Sequence, residues 1–373
     1  MADRRRFLSI VAACAAAAPC AGARAATAVA AAAEPEAVAW RGTAMGALAS
    51  MTLVHPDRDK AQALVRRCVD EIDRLESVFS LYRPESSLSR LNAVGELRDP
   101  PLELVELLSQ SLDLARSSGG AFDPTVQPLY RLYAAHFARP GAPAAGPPPA
   151  AIADTLNKVG FAGVELRADL VRLRRPGMAI TLNGIAQGFV TDRVADLLRS
   201  AGLVNLMIDL GEARAHGRSA RGDSWRAAIA DPRRPRRALL ELPMGDDAGA
   251  WPALATSAGY GTLFGTDPRV HHLFDPGTGR SANRYLSVSV AASRAAVADG
   301  LSTALSVMPA ERAAALLAAY PSVRAWFVQP DGRVTVLGRG ARAAGKTTLL
   351  GDIVMEEIKE SVVPDLPETR ARA

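Results

Sequence analysis

Cysteine is nearly absent from this sequence. Only three occur in 373 residues, and two of them, Cys14 and Cys20, lie in an apolar segment near the N-terminus. If that segment is removed on export, Cys68 remains alone and no internal disulfide can form, even in an oxidising compartment. The fold must therefore rest on a hydrophobic core, for which the 49% of hydrophobic residues in the chain are sufficient.

Aromatic residues are also scarce, at 5% of the chain. The net charge of +5 comes from arginines scattered along the sequence and near both ends, not from one basic stretch. Proteins that bind nucleic acid combine a basic surface with stacking aromatic side chains. We therefore expect no nucleic-acid partner.

Long hydrophobic runs are missing as well, and the longest, Ile10–Ala23, falls short of the roughly 20 residues that span a bilayer. It follows Arg4-Arg5-Arg6 and ends at the small-residue site Ala23-Arg24-Ala25. This pattern predicts a twin-arginine signal peptide over residues 1–25, export to the periplasm and no stable membrane insertion. A lipobox ending at Cys20 is a poorer interpretation, because Ala-Ala-Pro precedes that cysteine.

After an Ala-rich segment at 26–40, interpreted as a linker, the chain mixes helical and strand patterns. Amphipathic helices are predicted at Asp59–Val78, Leu102–Arg116 and Phe189–Ala201, and a helix is predicted for the tail at Thr348–Val362. Strands are predicted at Ser50–Val54, Met178–Leu182, Leu206–Leu210, Trp225–Ile229, Ala238–Leu242, Leu286–Val290, Val323–Val328 and Arg333–Leu337.

These elements do not alternate strictly as strand, helix and strand. The order favours a single large α+β domain over residues 41–340 rather than a Rossmann-type sheet. Residues 139–150 are rich in Pro, Ala and Gly and are predicted to form a surface insertion. Residues 341–373 are predicted to be a C-terminal tail.

One polar cluster interrupts the apolar segment Val297–Met308. If that segment is helical, Asp299, Ser302 and Thr303 stand at i, i+3 and i+4 and share one face. Hard oxygen ligands of this kind suit Mg²⁺. On spacing alone, however, an N-capping Asp followed by a Thr that bonds back to the preceding turn is the better interpretation.

Two glycine-containing turns suggest phosphate binding. Asn183–Gly188 stands between a predicted strand and a helix, where backbone N–H groups can face an anion, although simple chain reversal is the commoner use. Gly340–Thr347 matches the phosphate-binding loop pattern GxxxxGK[ST] literally. We interpret that match as accidental, because too little chain follows it to complete an ATPase sheet.

Eight sequence blocks, taken in order, carry a resemblance to a known family. They are GlyThrAlaMetGly at 42–46, SerLeuTyrArgProGluSerSerLeuSerArgLeuAsn at 80–92, GlyGlyAlaPheAspPro at 119–124, LeuAsnGlyIleAlaGlnGlyPhe at 182–189, TrpArgAlaAlaIleAlaAspPro at 225–232, AlaThrSer at 255–257, HisLeuPheAspProGlyThrGly at 272–279 and AlaAspGlyLeuSerThrAla at 298–304. From about Trp40 to Leu337 the chain resembles the ApbE-type FAD:protein FMN transferases, or flavinyltransferases.

The resemblance implies a function and a set of site residues. It implies an exported transferase that uses Mg²⁺ to move FMN from FAD onto a Thr of a partner flavoprotein in a membrane respiratory complex, releasing AMP. Exported members include the accessories of nitrous-oxide respiration, a role that the resemblance suggests here. The residues implied to hold FAD are Met45, Tyr82, Ala121, Phe122, Asp123 and Gln187; those implied to bind Mg²⁺ are Gly184, Asp299 and Thr303; the catalytic residues are His272 and Asp299.

Five positions depart from the pattern of that family. They are Thr181 in place of Asp, Gln187 in place of Lys, Glu212 and Ala258 in place of Gly, and Ser302 in place of Ala or Asp. Two other functions therefore remain open. One is an FAD pyrophosphatase, in which water replaces the Thr, and the other is a non-catalytic FAD-binding accessory protein.

Overall fold

The computed structural model describes residues 36–338, 347–350 and 353–358. Three predicted segments lie outside this part of the chain. They are the signal peptide, the linker up to residue 35, and residues 340–346 of the match to the phosphate-binding loop pattern. The helices of the described part are α1 (Arg58–Phe79), α2 (Ser87–Val94), α3 (Leu102–Ser117), α4 (Gln127–Phe137), α5 (Pro149–Leu156), α6 (Ala186–Ser200), α7 (Ala295–Val307) and α8 (Ala310–Leu317).

The strands of the same part are mostly short. They are β1 (Glu36–Ala44), β2 (Ala47–His55), β3 (Glu96–Arg98), β4 (Val164–Leu166), β5 (Leu170–Leu173), β6 (Leu206–Asp209), β7 (Ala213–His216), β8 (Trp225–Asp231), β9 (Arg234–Met244), β10 (Ala253–Ala258), β11 (Phe274–Asp275), β12 (Arg280–Ser281), β13 (Ser287–Ala292), β14 (Arg324–Val328), β15 (Val334–Gly338), β16 (Thr347–Leu350) and β17 (Ile353–Ile358).

Ten of these strands form one sheet in the order β1-β2-β6-β7-β10-β13-β14-β15-β17-β16. Every neighbouring pair in it is antiparallel. Smaller pairings are the three-stranded β3-β5-β4 sheet and the ribbons β8-β9 and β11-β12. Helices and antiparallel strands in this arrangement confirm the predicted α+β class.

The large sheet is covered on both faces. The main core joins one face to α1, α3, α6, α7 and α8. A second core joins the other face to the β8-β9 ribbon, where Trp225 and Ile229 pack with Met207, Leu254 and Trp326. The protein therefore has three layers, with helices, sheet and ribbon in that order.

Helix α1 shows how the sequence sets an element. Its N-cap, Asp57, accepts a hydrogen bond from the backbone N–H of Lys60 at 3.0 Å. The apolar positions repeat at helical spacing and are buried, and Phe79 at the C-terminal end meets Phe189 of α6 edge to face at 5.6 Å. The predicted helix Asp59–Val78 is confirmed within one residue at each end.

The strand predicted at Met178–Leu182 is wrong. The backbone there belongs to no sheet, because the side-chain amide of Asn92 binds both polar groups of Ile180, at 2.6 Å for the N–H and 2.8 Å for the carbonyl. The N–H of Thr181 donates to the carbonyl of Pro124 at 2.8 Å. The apolar run is therefore extended and buried, but side-chain and loop groups replace strand partners.

Two boundary predictions are also wrong. The linker predicted over residues 26–40 overlaps β1, which begins at Glu36 and pairs with β2 along its whole length. The tail helix predicted at Thr348–Val362 is contradicted by β16 and β17, and β17 pairs with β15. Both segments cover strands that would otherwise be open sheet edges, which is a tertiary effect that composition does not reveal. Strands of the large sheet therefore occur on both sides of the predicted range 41–340.

The remaining predicted strands and helices occur with small shifts at their ends. The Pro-rich segment at 139–150 connects α4 to α5, and its last two residues belong to α5. Within the described residues, no helix combines the length and the apolar character needed to span a bilayer.

Candidate active site

A cleft opens where the N-terminal end of α6, helix α7, strand β10 and the loop before β11 meet. All ten residues that the resemblance implies line this one cleft, and they are Met45, Tyr82, Ala121, Phe122, Asp123, Gly184, Gln187, His272, Asp299 and Thr303. The structure thus brings together residues separated by up to 258 positions in sequence.

Asp299 occupies the interior of α7, not its N-terminus. The helix begins at Ala295, so Asp299 is its fifth residue, and the side chain is 4% exposed. Its Oδ2 accepts a hydrogen bond from the backbone N–H of Gly188 at 3.0 Å. The alternative interpretation of Asp299 as an N-cap is therefore wrong, and the carboxylate is held at the wall of the cleft by the first turn of α6.

The N-terminus of α7 is capped by a residue from another helix. Asp192 of α6 accepts hydrogen bonds from the N–H groups of Ala295 and Ala296, each at 3.0 Å. The same buried carboxylate forms ion pairs with Arg214 and, at 3.2 Å, with Arg294. Because an anion is favourable at a helix N-terminus, these contacts fix α7 against α6 and so fix the position of Asp299.

The close approach of these helices requires glycine at 188, which gives our first prediction. A Cβ at that position would stand 2.4 Å from the carbonyl oxygen of Ala295, a backbone atom that cannot swing away. We expect Gly188→Ala to lower the free energy of unfolding by about 1–3 kcal/mol, as overpacked interiors do. It should also weaken divalent-cation binding, because it would displace Asp299. Thermal unfolding and cation titration measure both effects, and a variant as stable as the wild type would contradict this packing.

Thr303 lies one turn after Asp299 and faces the loop before α6. Its Oγ1 is 3.3 Å from the carbonyl oxygen of Gly184. A Cβ on Gly184 would come within 2.9 Å of that hydroxyl. The side-chain oxygens of Asp299 and Thr303 and the carbonyl of Gly184 therefore form a small set of hard oxygen donors on the cleft wall.

One separation in this donor set is compatible with Mg²⁺. Two oxygens at adjacent corners of an octahedron with bonds of 2.0–2.1 Å lie about 3 Å apart, close to the separation between Thr303 and Gly184. The described residues contain no cluster of three or more His, Cys, Asp or Glu that could hold a metal ion. A cation here would depend on one carboxylate, neutral oxygens and substrate phosphate, which is common for Mg²⁺.

Burial makes the carboxyl groups of the cleft reluctant to ionise. It raises the pKa of Asp299 to about 7, although the bond from Gly188 opposes the shift. Burial, with the charges of Asp299 and Asp209, raises the pKa of Glu212 well above its usual value. Oε2 of Glu212 accepts a bond from the N–H of Thr256 at 3.2 Å. A bound cation would offset the cost of placing negative charge here.

His272 faces the same cleft from the loop before β11. Its backbone N–H and its Nδ1 both contact the carbonyl oxygen of Thr262, at 3.1 and 3.3 Å. A carbonyl only accepts, so Nδ1 carries the hydrogen and Nε2 carries the lone pair. Burial and the neighbouring His271 lower the pKa of His272 to about 4, so the ring is neutral at pH 7 and can accept a proton.

The hairpin between β1 and β2 presents Met45 to the cleft. Met45 and Gly46 both have positive φ angles, 50° and 78°, as a two-residue type I′ turn requires. A positive φ is unfavourable for Met, and it is held by a bond of 2.6 Å from the Met45 N–H to Glu76. Glu76 is in turn paired with Arg83 at 2.7 Å.

The Asp123 turn forms another wall, but its carboxylate serves the loop. Oδ1 accepts bonds from the N–H and the hydroxyl of Thr125 at 2.8 and 2.6 Å, and Oδ2 accepts from the N–H of Phe161 at 2.9 Å. Asp123 therefore shapes the wall by fixing the loop that carries Ala121 and Phe122. Burial raises the pKa of this carboxyl.

Tyr82 and Gln187 differ in exposure. Tyr82 is 58% exposed at the mouth, where a planar ligand can reach its ring. Gln187 is half-buried in the first turn of α6. It lies close to Gly211, and a Cβ added to that glycine would be 2.6 Å from Nε2 of Gln187. Gly211 has a φ of 103°, a backbone conformation that favours glycine, whereas the flexible end of Gln187 could move away from a Cβ.

The cleft also contains polar residues that have no predicted site role, among them Glu212, Thr256 and Ser257. Ser257 lies 3.2 Å from Oγ1 of Thr303. The AlaThrSer block at 255–257 was a usable signal, because its two hydroxyls follow directly on a buried strand pattern. The sequence around Glu212 shows only a charged residue next to a glycine turn, which is too common a pattern to indicate a site.

The fold and this cleft define a family that comparison with known proteins identifies. The ApbE family model matches residues 45–327, which is most of the chain. The protein therefore belongs to the ApbE family.

Named relatives and solved structures agree with this assignment. The FAD:protein FMN transferase of Treponema pallidum is 33% identical over 284 residues, covering 70% of this chain and 76% of its own. The structure of the flavin transferase ApbE from Vibrio cholerae matches with a TM-score of 0.67 and 26% identity, covering 88% of this chain and 98% of that one. The ApbE protein from Thermotoga maritima matches with a TM-score of 0.68 and 25% identity, over 80% and 96% of the two chains.

Proposed function

We propose that this protein transfers FMN from FAD to a hydroxyl of an acceptor protein, with Mg²⁺ bound by Asp299, Thr303 and the carbonyl of Gly184. The observation that carries the proposal is the convergence of these oxygens with His272 in one cleft. Relatives of similar sequence are named FAD:protein FMN transferases, which supports the same substrate here. The departures at Thr181 and Gln187 lie in the cleft, and neither is one of the three proposed cation ligands.

The residues divide the chemistry between them. A cation held by Asp299, Thr303 and the carbonyl of Gly184 would neutralise charge on the pyrophosphate, which is a main requirement of phosphoryl transfer. Nε2 of His272 takes the proton of the acceptor hydroxyl, and the hydroxyl oxygen forms a bond to the FMN phosphorus. The bond between that phosphorus and the bridging oxygen breaks, and AMP leaves with the electron pair. Met45, Tyr82 and the Ala121–Phe122 wall would orient the flavin nucleotide.

The acceptor that we propose is a Thr-bearing flavoprotein of a membrane respiratory complex in the periplasm. The support is the Arg4-Arg5 signal pattern together with the family assignment. Purified protein mixed with FAD, Mg²⁺ and a candidate acceptor tests the function directly. Covalent flavin fluorescence on denatured acceptor is the expected result. FMN and AMP formed without labelling would favour a pyrophosphatase, and tight FAD binding without turnover would favour an accessory protein.

The pH dependence of transfer provides a second prediction. Since the pKa of His272 is lowered to about 4, the imidazole should stay unprotonated as the pH falls from 8 to 5.5. Single-turnover rates at saturating FAD and Mg²⁺ should therefore show no inflection near 6.5, where an unperturbed histidine would lose half its basic form. An inflection at that pH that does not move when Mg²⁺ is raised further would mean that His272 is more exposed to water than its contacts imply. An inflection that Mg²⁺ shifts to lower pH would instead belong to Asp299, whose pKa is raised to about 7 without metal.

A third prediction concerns export. Replacing Arg4 and Arg5 together with Lys should leave the protein in the cytoplasm, because twin-arginine signals are read at that pair. Fractionation with antibody detection measures the distribution, and a variant with Lys at Arg66 and Arg67 in α1 serves as the control. Periplasmic accumulation of the Arg4/Arg5 variant would remove the twin-arginine interpretation.

A further inference from the structure

Three hydroxyl groups contact one another beside the cation donors. Ser257 of β10 has its Oγ 2.7 Å from Oγ of Ser302 and 3.2 Å from Oγ1 of Thr303. Ser302 is fully buried and Ser257 is 9% exposed. These contacts join the sheet to α7, and Thr303 is the only one of the three hydroxyls that the proposed function uses.

The number of available hydrogens sets the direction of these bonds. Oγ of Ser302 lies 2.9 Å from the backbone carbonyl of Asp299, which can only accept, so Ser302 donates its single hydrogen there. Either hydroxyl can be the donor in the 2.7 Å contact between Ser257 and Ser302, and with Ser302 bonded to that carbonyl it is Ser257 that donates to Ser302. The remaining contact, from Ser257 to Thr303, can form only if Thr303 is the donor.

Thr303 has one hydrogen and two acceptors within reach, Oγ of Ser257 at 3.2 Å and the carbonyl of Gly184 at 3.3 Å. A hydrogen directed at Gly184 would occupy the space between the two oxygens that the cation needs. A hydrogen directed at Ser257 leaves that space to lone pairs. The two serines therefore favour the arrangement that binds a cation.

We propose that Ser257 and Ser302 are positioning residues that draw the hydrogen of Thr303 away from the cation site, so that an Oγ1 lone pair faces the metal. This inference rests on the proposed function, in which Thr303 is a cation ligand. It explains why a helix buried against the sheet keeps polar side chains at 302 and 303, since each hydroxyl has a partner and a defined donor direction.

The test is the cation affinity of the Ser302→Ala and Ser257→Ala proteins in the presence of FAD. It is measured by titration with Mn²⁺, with free and bound ion distinguished by electron paramagnetic resonance. We expect the Mn²⁺ dissociation constant to rise about 3- to 10-fold in each variant, as for one net hydrogen bond. The double variant should show little further change, because both residues act through one chain of bonds. The Mg²⁺ concentration for half-maximal turnover should rise in parallel, with kcat at saturating Mg²⁺ within twofold of wild type.

Ser306→Ala is the matched control. Ser306 lies on the same helix, is 5% exposed and donates to the backbone carbonyl of Ser302 at 2.8 Å. It should lose similar stability and keep wild-type Mn²⁺ affinity. Ser302→Thr retains the hydroxyl and should also keep that affinity. If Ser302→Ala does not fold, Ser257→Ala makes the same test from the sheet.

The outcomes separate this inference from the proposed function. Unchanged Mn²⁺ affinity in Ser302→Ala and Ser257→Ala, or an equal loss in Ser306→Ala, would overturn the positioning role while leaving a Mg²⁺-dependent transferase intact. Wild-type protein that binds no Mn²⁺, or that turns over FAD equally well in a chelator, would instead overturn the cation site itself.

Discussion

Asp299→Asn should abolish most flavin transfer while leaving the fold intact. The amide keeps the volume of the side chain and can still accept the bond from Gly188, but the one formal negative charge in the proposed donor set is lost. Even residues behind a metal ligand can cost about 100-fold when removed, so transfer should fall by at least that factor at limiting Mg²⁺. Covalent labelling of the acceptor across a Mg²⁺ series is the measurement.

Thermal unfolding separates this metal role from a packing role. Because burial raises the pKa of Asp299 to about 7, its charge is unfavourable in the metal-free fold, and Asn should not lower the melting temperature without metal. The increase in melting temperature that Mg²⁺ and FAD give the wild type should disappear in the variant. A lower melting temperature with unchanged labelling would assign Asp299 a packing role and remove the cation site.

Asp231→Asn is the matched control for Asp299→Asn. Asp231 is also a buried carboxylate, but it lies on β8 outside the cleft, where it pairs with Arg233 and Arg234 at 3.1 Å. Its neutralisation should lower the melting temperature and leave the Mg²⁺ dependence of transfer unchanged. The comparison therefore shows whether loss of transfer follows from the loss of any buried charge or only from loss of the charge in the cleft.

The helical period in the sequence was enough to place Asp299 and Thr303 on one face. Spacing could not show which partners that face meets. The bond from Gly188 to Asp299 spans 111 residues, and the cap that Asp192 gives to Ala295 spans 103. Local patterns contain no information on such pairs. Spacing alone therefore favoured an N-cap at Asp299, whereas the helix begins four residues earlier, at Ala295.

The same limit explains the errors at the two ends of the domain. Whether Glu36–Ala44 or Ile353–Ile358 is a strand depends on an edge made by other residues, namely β2 and β15. At Met178–Leu182 the pattern is apolar enough for a strand. The side-chain amide of Asn92, however, forms the hydrogen bonds to the N–H and the carbonyl of Ile180 that a neighbouring strand would otherwise form. Apolar periodicity reports which face is buried, while strand pairing depends on a distant neighbour.

His272→Ala should leave FAD binding largely in place and slow transfer by roughly 10²–10⁴-fold, the usual effect of removing a general base. The reason is geometric, since Thr262 fixes Nδ1 as the protonated nitrogen and leaves Nε2 to accept the hydroxyl proton. FAD titration and single-turnover labelling of the acceptor are the two measurements.

Chemical rescue distinguishes a missing base from a disturbed loop. In the alanine variant, added imidazole can enter the space left by the ring, and it should restore part of the labelling rate in proportion to its unprotonated form. His271→Ala is the contrasting variant, because His271 is buried against Gly259, where an added Cβ would meet its ring at 2.5 Å, and its Nδ1 accepts from the N–H of Leu273 at 3.3 Å. It should lose stability and show no rescue. Rescue of both variants, or of neither, would mean that position 272 holds the loop and does not move the proton.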